Sequence, residues 1–316
     1  MEKIRLIAVV GPTASGKTAL AVELAKRFDG EVISADSMQV YREMQVATAK
    51  PTKGEMQGIP HHLIDYVEPE EPYSLARYVE DAKAAIADVA SRGKLPVLAG
   101  GTGLYVDTLL ENRDLGDAGE NEELRRGLYA LAEEKGNGYL LELLRKEDPE
   151  TAKKLHENNL IRVVRALEVC RTAGMTMSEL QRKSRETETL YDCCRIGIAY
   201  RNRQVLYDRI NLRVDRMLEA GLCEEARQFF ASGKQTAAQA IGYKELKPWL
   251  DGECTLEEAA DRLKQATRRY AKRQLTWFRK DPRIHWVFPD GEGGAEGALR
   301  EAEQAAEEFL KNREKG

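Results

Sequence analysis

Residues 11–18 read GPTASGKT and match the pattern G-x-x-x-x-G-K-[ST] of a phosphate-binding loop. They follow an apolar run at 4–10 that is typical of a buried parallel strand, and apolar residues at helical spacing follow over 18–28. In that order, the loop amides and the helix N-terminus converge on one anion. Lys17 adds a cation and Thr18 a hydroxyl that can hold Mg²⁺, so we expect a di- or triphosphate to bind here. The predicted phosphate-binding residues are Gly11, Pro12, Thr13, Ala14, Ser15, Gly16, Lys17 and Thr18.

Two further strands with polar ends are predicted. Residues 31–37, EVISADS, end at Asp36, and residues 94–101, KLPVLAGG, run into a Gly-Gly-Thr-Gly turn. An amphipathic helix is predicted between them at 74–91, and CCRIGIAY at 193–200 is predicted to rejoin the sheet. Alternating strands and helices are typical of a parallel α/β sheet, whose ligands gather beyond the carboxyl ends of the strands. The predicted fold class is α/β, a P-loop NTPase-like parallel sheet flanked by helices.

The character of the chain changes after residue 112. Residues 113–190 are charged and helical, with caps such as Asp148-Pro149 and no convincing strand, which predicts an inserted all-helical domain. The α/β core then comprises 1–112 and 191–316, and residues 203–312 are predicted to be mainly helical. The acidic, glycine-rich stretch 290–297 is predicted to be a linker.

Composition excludes several classes of protein. With 316 residues, 42% hydrophobic and 32% charged, the chain has the composition of a globular protein of about two domains. Its apolar runs are far shorter than the roughly 20 residues that span a bilayer, and no signal pattern opens the chain, so the expected location is the cytosol. A net charge of -4 does not by itself indicate a nucleic-acid partner. Five cysteines without zinc spacing predict reduced thiols and no structural metal site.

Asp36 has three possible roles on this evidence. Its position beyond the second strand suits a Mg²⁺ ligand of Walker-B type, a general base facing the bound phosphates, or simply a turn-capping aspartate. The Gly-Gly-Thr-Gly segment that contains Thr102 is likewise either part of the site or a tight turn. His61 and His62 are expected to pack or to serve the loop, because adjacent histidines on one strand do not easily bind one ion.

A basic stretch with interleaved aromatic residues lies near the C-terminus, at 262–283. It holds Tyr270, Trp277 and Phe278, and its only acid is Asp281. Basic and aromatic side chains together suit phosphate contact and base stacking on RNA, whereas a solvated helix face over a core stripe is the alternative. The basic residues are Arg262, Lys264, Arg268, Arg269, Lys272, Arg273, Arg279, Lys280 and Arg283.

Segments along almost the whole chain resemble one family, the bacterial tRNA dimethylallyltransferases or tRNA isopentenyltransferases. One departure lies at 156–159, HENN, where members of the family usually carry HPND. The matching segments are GPTASGKT (11–18), ISADSMQVYR (33–42), TAKP (48–51), PHHLID (60–65), LAGGTGLY (98–105), RALE (165–168), YDRINLRVD (207–215), QAIGYKE (239–245) and KRQLTWFR (272–279).

The resemblance implies a reaction. Dimethylallyl diphosphate would donate its dimethylallyl group, with Mg²⁺ as cofactor, to the exocyclic amine of the adenine 3′ of the anticodon, in tRNAs that read codons beginning with U. An allylic diphosphate ionises readily, so the main task is to stabilise the leaving diphosphate electrostatically. The adenine amine is a poor nucleophile and needs a proton acceptor. The target base must also be flipped out of the anticodon loop.

The resemblance also implies residue roles. Asp36 is the implied general base, and Thr102 with Arg209 or Arg213 is implied to contact the diphosphate end of the donor. Arg209 and Arg213 are four apart on one helix face, so the sequence leaves open which one does so. The 113–190 insertion is implied to clasp the anticodon stem. The implied tRNA-binding residues are Asp36, Ser37, Met38, Gln39, Thr102, Ile161, Arg162, Val163, Val164, Arg165, Gln239, Ala240, Ile241, Gly242, Tyr243 and Lys244.

Other functions stay open at this point. They are a P-loop kinase that uses ATP, an adenylate isopentenyltransferase that acts on free AMP, and a non-catalytic, nucleotide-dependent RNA-binding switch. A kinase would need an arginine-rich lid, which we cannot identify, and the free-AMP enzyme would have little use for the insertion. We expect a monomer, because no heptad pattern or long exposed edge strand is legible.

Overall fold

The computed structural model describes residues 2–113, 121–184, 187–232 and 240–312 of the chain. The chain divides into two compact units. The core unit comprises Met1–Leu110 and Tyr191–Gly316, and the inserted unit comprises Glu111–Leu190. None of the described helices is long and apolar enough to span a membrane.

The core unit is built on a six-stranded sheet in the order β3-β2-β4-β1-β5-β6, with every neighbouring pair parallel. Short β-branched and apolar runs form its central strands, which suits burial on both faces. The strands at the two edges, β3 and β6, were not predicted. The strands are β1 (Ile4–Val10), β2 (Gly30–Ser34), β3 (His61–His62), β4 (Leu95–Gly100), β5 (Tyr191–Ile198) and β6 (His285–Val287).

The described helices of both units are numbered along the chain, and α5 to α9 belong to the inserted unit. They are α1 (Lys17–Arg27), α2 (Lys53–Met56), α3 (Leu75–Ser91), α4 (Gly103–Leu110), α5 (Glu122–Lys135), α6 (Asn137–Glu147), α7 (Pro149–Ala152), α8 (Leu160–Thr172), α9 (Met177–Lys183), α10 (Arg203–Glu219), α11 (Leu222–Ala231), α12 (Tyr243–Leu250), α13 (Leu256–Phe278) and α14 (Gly294–Lys311).

Helices α1 and α14 pack into one core cluster with the central strands. Leu20 and Leu24 of α1 lie in this cluster, and so do Ala298, Ala302 and Ala306, which recur every four residues along α14. This spacing places the three alanines on one helix face. The prediction of a linker at 290–297 is therefore wrong at its end, because the glycine-rich segment is where α14 starts.

A second cluster joins helices α10 to α13 to the loop that follows β2. Tyr243 is fully buried at its centre, where its ring lies 4.6 Å from that of Phe229, and Val40 and Met44 of the loop pack against the same cluster. The helices thus give the loop a rigid backing, and the loop carries the residues predicted to bind the substrates.

The inserted unit has its own core, formed by leucines, valines and alanines of α5, α6 and α8. Glu168, which is fully buried, accepts hydrogen bonds from the backbone N–H of Asn121 and from Arg165, and it pairs with Arg125. Because a buried carboxylate is costly unless it is paired, these contacts account for the arginine and glutamate of the RALE segment.

Candidate active site

The loops that follow β1, β2 and β4 meet at the carboxyl edge of the sheet, around a cavity of about 280 Å³. Thr13, Lys17 and Thr18 of the phosphate loop line one part of it. Asp36 lines it from the loop after β2, and Arg213 lines it from α10. The predicted phosphate-binding loop and the predicted base therefore share one cavity within the core unit.

The phosphate loop has the tight backbone that its glycines predict. Gly16 caps α1 at φ 98°, in the left-handed region that favours glycine, and a Cβ on Gly11 would come within 2.7 Å of the Ile198 carbonyl oxygen. The Lys17 ammonium donates to the Pro12 carbonyl at 2.6 Å. Gly16 opens the first turn of α1, so the helix N-terminus adds its positive potential to the cavity.

Lys17, Arg213 and Asp36 are electrostatically coupled. Burial and, to a smaller extent, the positive charge of Arg213 lower the pKa of Lys17, Asp36 opposes them, and the resulting pKa is about 7. Burial likewise lowers the pKa of Arg213, while Asp36 and Glu55 act to raise it. Two partly buried cations beside one carboxylate leave the cavity short of negative charge, which favours an anionic ligand.

The two arginines of α10 have different surroundings. Arg213 lines the cavity, whereas Arg209 is exposed, donates from Nε to the Ala14 carbonyl at 3.0 Å and lies 5.7 Å from the centre of the Tyr200 ring. Arg209 lines a separate cavity of about 320 Å³ with Ser15. Arg213 therefore faces the predicted phosphate site, whereas Arg209, one helical turn earlier on α10, contacts the outside of the phosphate loop.

Asp36 has the turn role and faces the cavity as well. Its Oδ1 accepts the backbone N–H groups of Met38 at 2.9 Å and Gln39 at 3.3 Å. Thr102 lies behind this loop, where its Oγ1 accepts the N–H of Ser37 at 3.2 Å. Thr102 is not among the residues that line the cavity, so its visible role is to fix the Asp36 loop.

Another part of the cavity is apolar. Ala47, Val214, Met217, Ile241 and Leu263 contribute to it. Four different segments supply these side chains, and Val214 and Ile241 belong to the family-matching segments 207–215 and 239–245. The cavity thus combines a cationic part and an apolar part, as a ligand with a charged head and a hydrocarbon tail requires.

Glu225 of α11 holds the 46–47 loop beside this apolar part. Its two carboxylate oxygens accept the backbone N–H groups of Val46 at 2.7 Å and Ala47 at 2.8 Å, and Tyr243 donates its hydroxyl to Oε1 at 3.0 Å. Sequence reasoning missed Glu225, because a glutamate in a helix is ordinarily a surface residue.

Tyr270 of α13 also lines the cavity. Burial and, to a smaller extent, nearby Asp36 raise the pKa of its hydroxyl, hydrogen bonds with Thr102 and Gln274 partly offset these effects, and the resulting pKa is about 12. The Tyr270 side chain therefore keeps a neutral hydroxyl at physiological pH, and it lines the same cavity as Asp36.

Comparison with known proteins agrees with this geometry. The family model described as "IPP transferase" matches residues 39–281. The chain belongs to this family. A second model, "Isopentenyl transferase", matches residues 4–68, which hold the phosphate loop and Asp36.

Relatives of the IPP transferase family match nearly end to end. The tRNA dimethylallyltransferases of Caldanaerobacter subterraneus subsp. tengcongensis and Halalkalibacterium halodurans are each 49% identical, over 91% and 90% of this chain and 92% and 91% of their own. The crystal structure of a tRNA isopentenylpyrophosphate transferase from Bacillus halodurans matches with a TM-score of 0.74 and 43% identity over 99% of both chains. A eukaryotic dimethylallyltransferase acting on tRNA matches with a TM-score of 0.77 and 34% identity over 90% of this chain and 74% of its own. The predicted family and the predicted fold class are confirmed.

The structure corrects part of the predicted RNA-binding set on α8. Ile161 is 75% exposed and Arg162 is also exposed, as a contact residue must be. Val163 and Val164 are buried in the core of the inserted unit, so their side chains belong to packing and not to RNA contact. Arg165 forms a salt bridge with Glu168.

The segment at 239–244, which was also predicted to bind tRNA, likewise contains both accessible and buried residues. Gln239 lies outside the described residues. Ala240 and Ile241 line the cavity and Lys244 is exposed, whereas Gly242 and Tyr243 are buried. The Tyr243 side chain is part of the second core cluster, and its prediction as an RNA contact is corrected to a core role.

The basic stretch at 262–283 has a core stripe beneath an exposed basic face, and its contact with RNA stays a prediction. Phe278 is core, and Lys264 pairs with Asp215. A second set of cations is exposed: three of them lie at intervals of seven and four residues on one face of α13, over about 17 Å at about 1.5 Å per residue, and the fourth lies two residues beyond the end of the helix. We call Arg262, Arg269, Arg273 and Lys280 the α13 stripe.

Proposed function

We propose that this chain is a tRNA dimethylallyltransferase that moves a dimethylallyl group from dimethylallyl diphosphate to the exocyclic amine of the adenine 3′ of the anticodon, in tRNAs that read codons beginning with U. One observation carries the proposal. A single cavity presents Lys17 and Arg213, the carboxylate of Asp36, and an apolar wall. These are the groups needed to hold an allylic diphosphate beside an amine that must lose a proton.

The leaving group is stabilised by the cationic part of the cavity. The bond between the allylic carbon and the diphosphate oxygen breaks, and its electron pair leaves on the diphosphate. The N-terminal end of α1, Lys17 and Arg213 stabilise the charge that develops there, in a pocket whose partial burial strengthens each interaction. Arg213 is the arginine assigned to the diphosphate, because Arg209 faces away from this cavity.

The residues present fit a magnesium ion. Thr18 places a hydroxyl on the cavity wall beside Lys17, and the described residues contain no cluster of three or more His, Cys, Asp or Glu that could hold a metal by itself. Mg²⁺ typically takes one or two protein oxygens and completes its shell with water and substrate phosphates. When bound, it would add positive charge beside the departing diphosphate.

Asp36 is the proposed general base. As the amine nitrogen forms its bond to the allylic carbon, its proton passes to the Asp36 carboxylate. Oδ1 is held by the N–H groups of Met38 and Gln39, which fixes the plane of the carboxylate, and Thr102 secures the same loop through Ser37. General-base help of this kind contributes about 10²- to 10⁴-fold.

The adenine reaches the cavity only after it is flipped out of the anticodon loop. Surfaces that suit the rest of the tRNA are the α13 stripe on the core unit, with Lys244, and the exposed residues Ile161 and Arg162 on the inserted unit. Cations spaced along a helix face suit contact with successive phosphates.

A labelling experiment tests the function. The protein and Mg²⁺ are incubated with radiolabelled dimethylallyl diphosphate and an anticodon stem-loop with adjacent adenines, AMP, or no acceptor, all without ATP. We expect label in the stem-loop. Label in AMP alone, or in no acceptor at all, would refute the proposal.

A substitution tests the assigned base. Asp36→Ala should lower turnover about 10²- to 10⁴-fold while binding of donor and stem-loop is largely kept. Asp208→Asn, an exposed change on α10 outside the cavity, is the control. Normal turnover by Asp36→Ala would remove Asp36 as the base.

A further inference from the structure

Gln274 of α13 connects two loops of the cavity. Its side chain is buried, with Oε1 accepting the backbone N–H of Thr13 at 2.8 Å and Nε2 donating to the Gly101 carbonyl at 2.9 Å. Thr13 belongs to the phosphate loop after β1, and Gly101 to the turn after β4. One amide therefore joins the ends of two neighbouring strands.

The Gly-Gly-Thr-Gly turn after β4 allows α13 to approach closely. A Cβ on Gly101 would come within 2.2 Å of the Gln274 amide nitrogen, and one on Gly103 within 2.3 Å of the Trp277 ring. Neither glycine needs a positive φ; each is required because α13 approaches so closely. Trp277 is also fixed, because its Nε1 donates to Asp107 at 2.7 Å.

The connection continues to the proposed base. Directly after Gly101, the N–H of Thr102 donates to the Ala35 carbonyl at 3.2 Å, and its hydroxyl accepts the N–H of Ser37. Ala35 and Ser37 flank Asp36. A continuous path of backbone and hydrogen bonds thus runs from the phosphate loop, through Gln274 and the turn, to the loop that carries the carboxylate.

We propose that Gln274 is a positioning residue that sets the phosphate loop relative to Asp36, so that the allylic carbon of the bound donor meets the amine while the amine proton lies within reach of the base. This inference rests on the proposed function. It assigns Gln274 no contact with the reacting atoms. A buried amide suits the role because its NH2 group donates and its oxygen accepts in fixed geometry, which matches the Gly101 carbonyl and the Thr13 N–H.

Gln274→Glu turns this match into a pH switch. When protonated, the introduced carboxyl can still donate to the Gly101 carbonyl and accept from the Thr13 N–H. When ionised, it still accepts from Thr13 but sets a negative oxygen against the Gly101 carbonyl. Loss of one buried partner costs about 1–3 kcal/mol, which corresponds to a fall in kcat of about 5- to 150-fold. The ratio of variant to unsubstituted kcat should therefore rise toward one as pH falls, with the KM for the stem-loop unchanged.

Controls separate positioning from general stability. Gln265→Glu places the same charge at an exposed position of α13 and should follow the unsubstituted protein at every pH. The folded fraction is measured by near-UV circular dichroism at each pH, so that lost fold is not counted as lost kcat. Gln274→Met, which keeps length but offers neither hydrogen bond, should be slow at every pH.

Amide hydrogen exchange provides a readout independent of turnover. In Gln274→Met the peptide that contains Thr13 should exchange faster, while peptides from α1 keep their protection. If the unsubstituted protein transfers label but Gln274→Glu and Gln274→Met keep its kcat at every pH, the positioning role is refuted. If the unsubstituted protein transfers no label, the proposed function fails instead, and unchanged exchange at Thr13 in Gln274→Met would separately refute the bridge.

Discussion

Protonation of Lys17 should control donor binding. In the free protein, burial and the neighbouring charge of Arg213 lower the pKa of Lys17 to about 7, against an ordinary value of 10.5. A diphosphate beside the ammonium supplies the missing negative charge and raises this pKa again. The charged form binds the donor, so affinity is highest below pH 7 and falls as pH rises above it.

The size of the effect follows from the two pKa values. If the bound diphosphate restores the ordinary value, affinity falls by close to a factor of ten per pH unit above 7, or about 100-fold in total between pH 6 and pH 9. Binding at pH 8.5 should then take up about one proton per site, because Lys17 is mostly neutral before binding and charged after it.

Calorimetry measures both quantities. Titration with dimethylallyl diphosphate in two buffers of different ionisation enthalpy gives the number of protons taken up, and a pH series gives the slope of the affinity. Lys17→Arg is the matched control, since its guanidinium stays charged throughout this range. Any slope left in Lys17→Arg belongs to the ligand or to other groups, so the difference between the two proteins isolates Lys17.

Equal proton uptake by the two proteins would refute this reasoning. The ammonium would then already be charged at pH 8.5 in the free cavity. In that case burial beside Arg213 would not leave the cavity short of negative charge, and the electrostatic argument for an anionic ligand would lose its main support.

Two further predictions concern the cations around the cavity. Arg213→Gln should lower kcat/KM for the donor by about 10²- to 10³-fold, because its charge stabilises the leaving group. Arg209→Gln, on the same helix, should lower kcat/KM by less than about tenfold. Steady-state kinetics on both variants checks this, and equal losses would contradict the assignment of Arg213. The double variant Arg269→Gln and Lys280→Gln should bind the stem-loop more weakly. Fluorescence anisotropy over a salt series should show the slope of log affinity against log salt concentration reduced by about 0.7–0.9 for each phosphate that the variant no longer neutralises. An unchanged slope would mean that the α13 stripe does not contact the RNA.

Local patterns predicted the part of the fold that positions the phosphate loop. Strand β1 has the predicted bounds, α1 starts one residue before its prediction, and α3 starts one residue after its prediction because Ser74 is its N-cap. These elements are decided by nearby residues: an apolar run, a glycine loop, a capping hydroxyl. Strands β3 and β6 have only two and three residues. They are defined by pairing with strands far away in the sequence, so no local sequence pattern predicts them.

Burial explains the predictions that failed. Val163 and Val164 sit in a segment matched to the family as a whole, and the segment carries both contact and core residues. Only helical spacing distinguishes the contact residues from the core residues. Ile161 and Arg162 are exposed, whereas the two valines that follow pack with Leu167 and the other core residues of the inserted unit. A contact predicted for a run of five helical residues must include some that face inward.

Gln274 shows why a site residue can escape sequence reasoning even when its motif is recognised. Within the segment KRQLTWFR it reads as one polar residue on a basic helix, and an exposed glutamine would read the same. Its role is visible only with Gly101, 173 residues earlier, because the glycine leaves the space that the amide fills. A side chain at 101 would displace Gln274 and release Thr13, and loss of Gln274 would leave the Gly101 carbonyl without its partner. The glycine turn and the basic helix are therefore one structural feature, and substitutions at 101 and 274 should show coupled, non-additive effects on kcat.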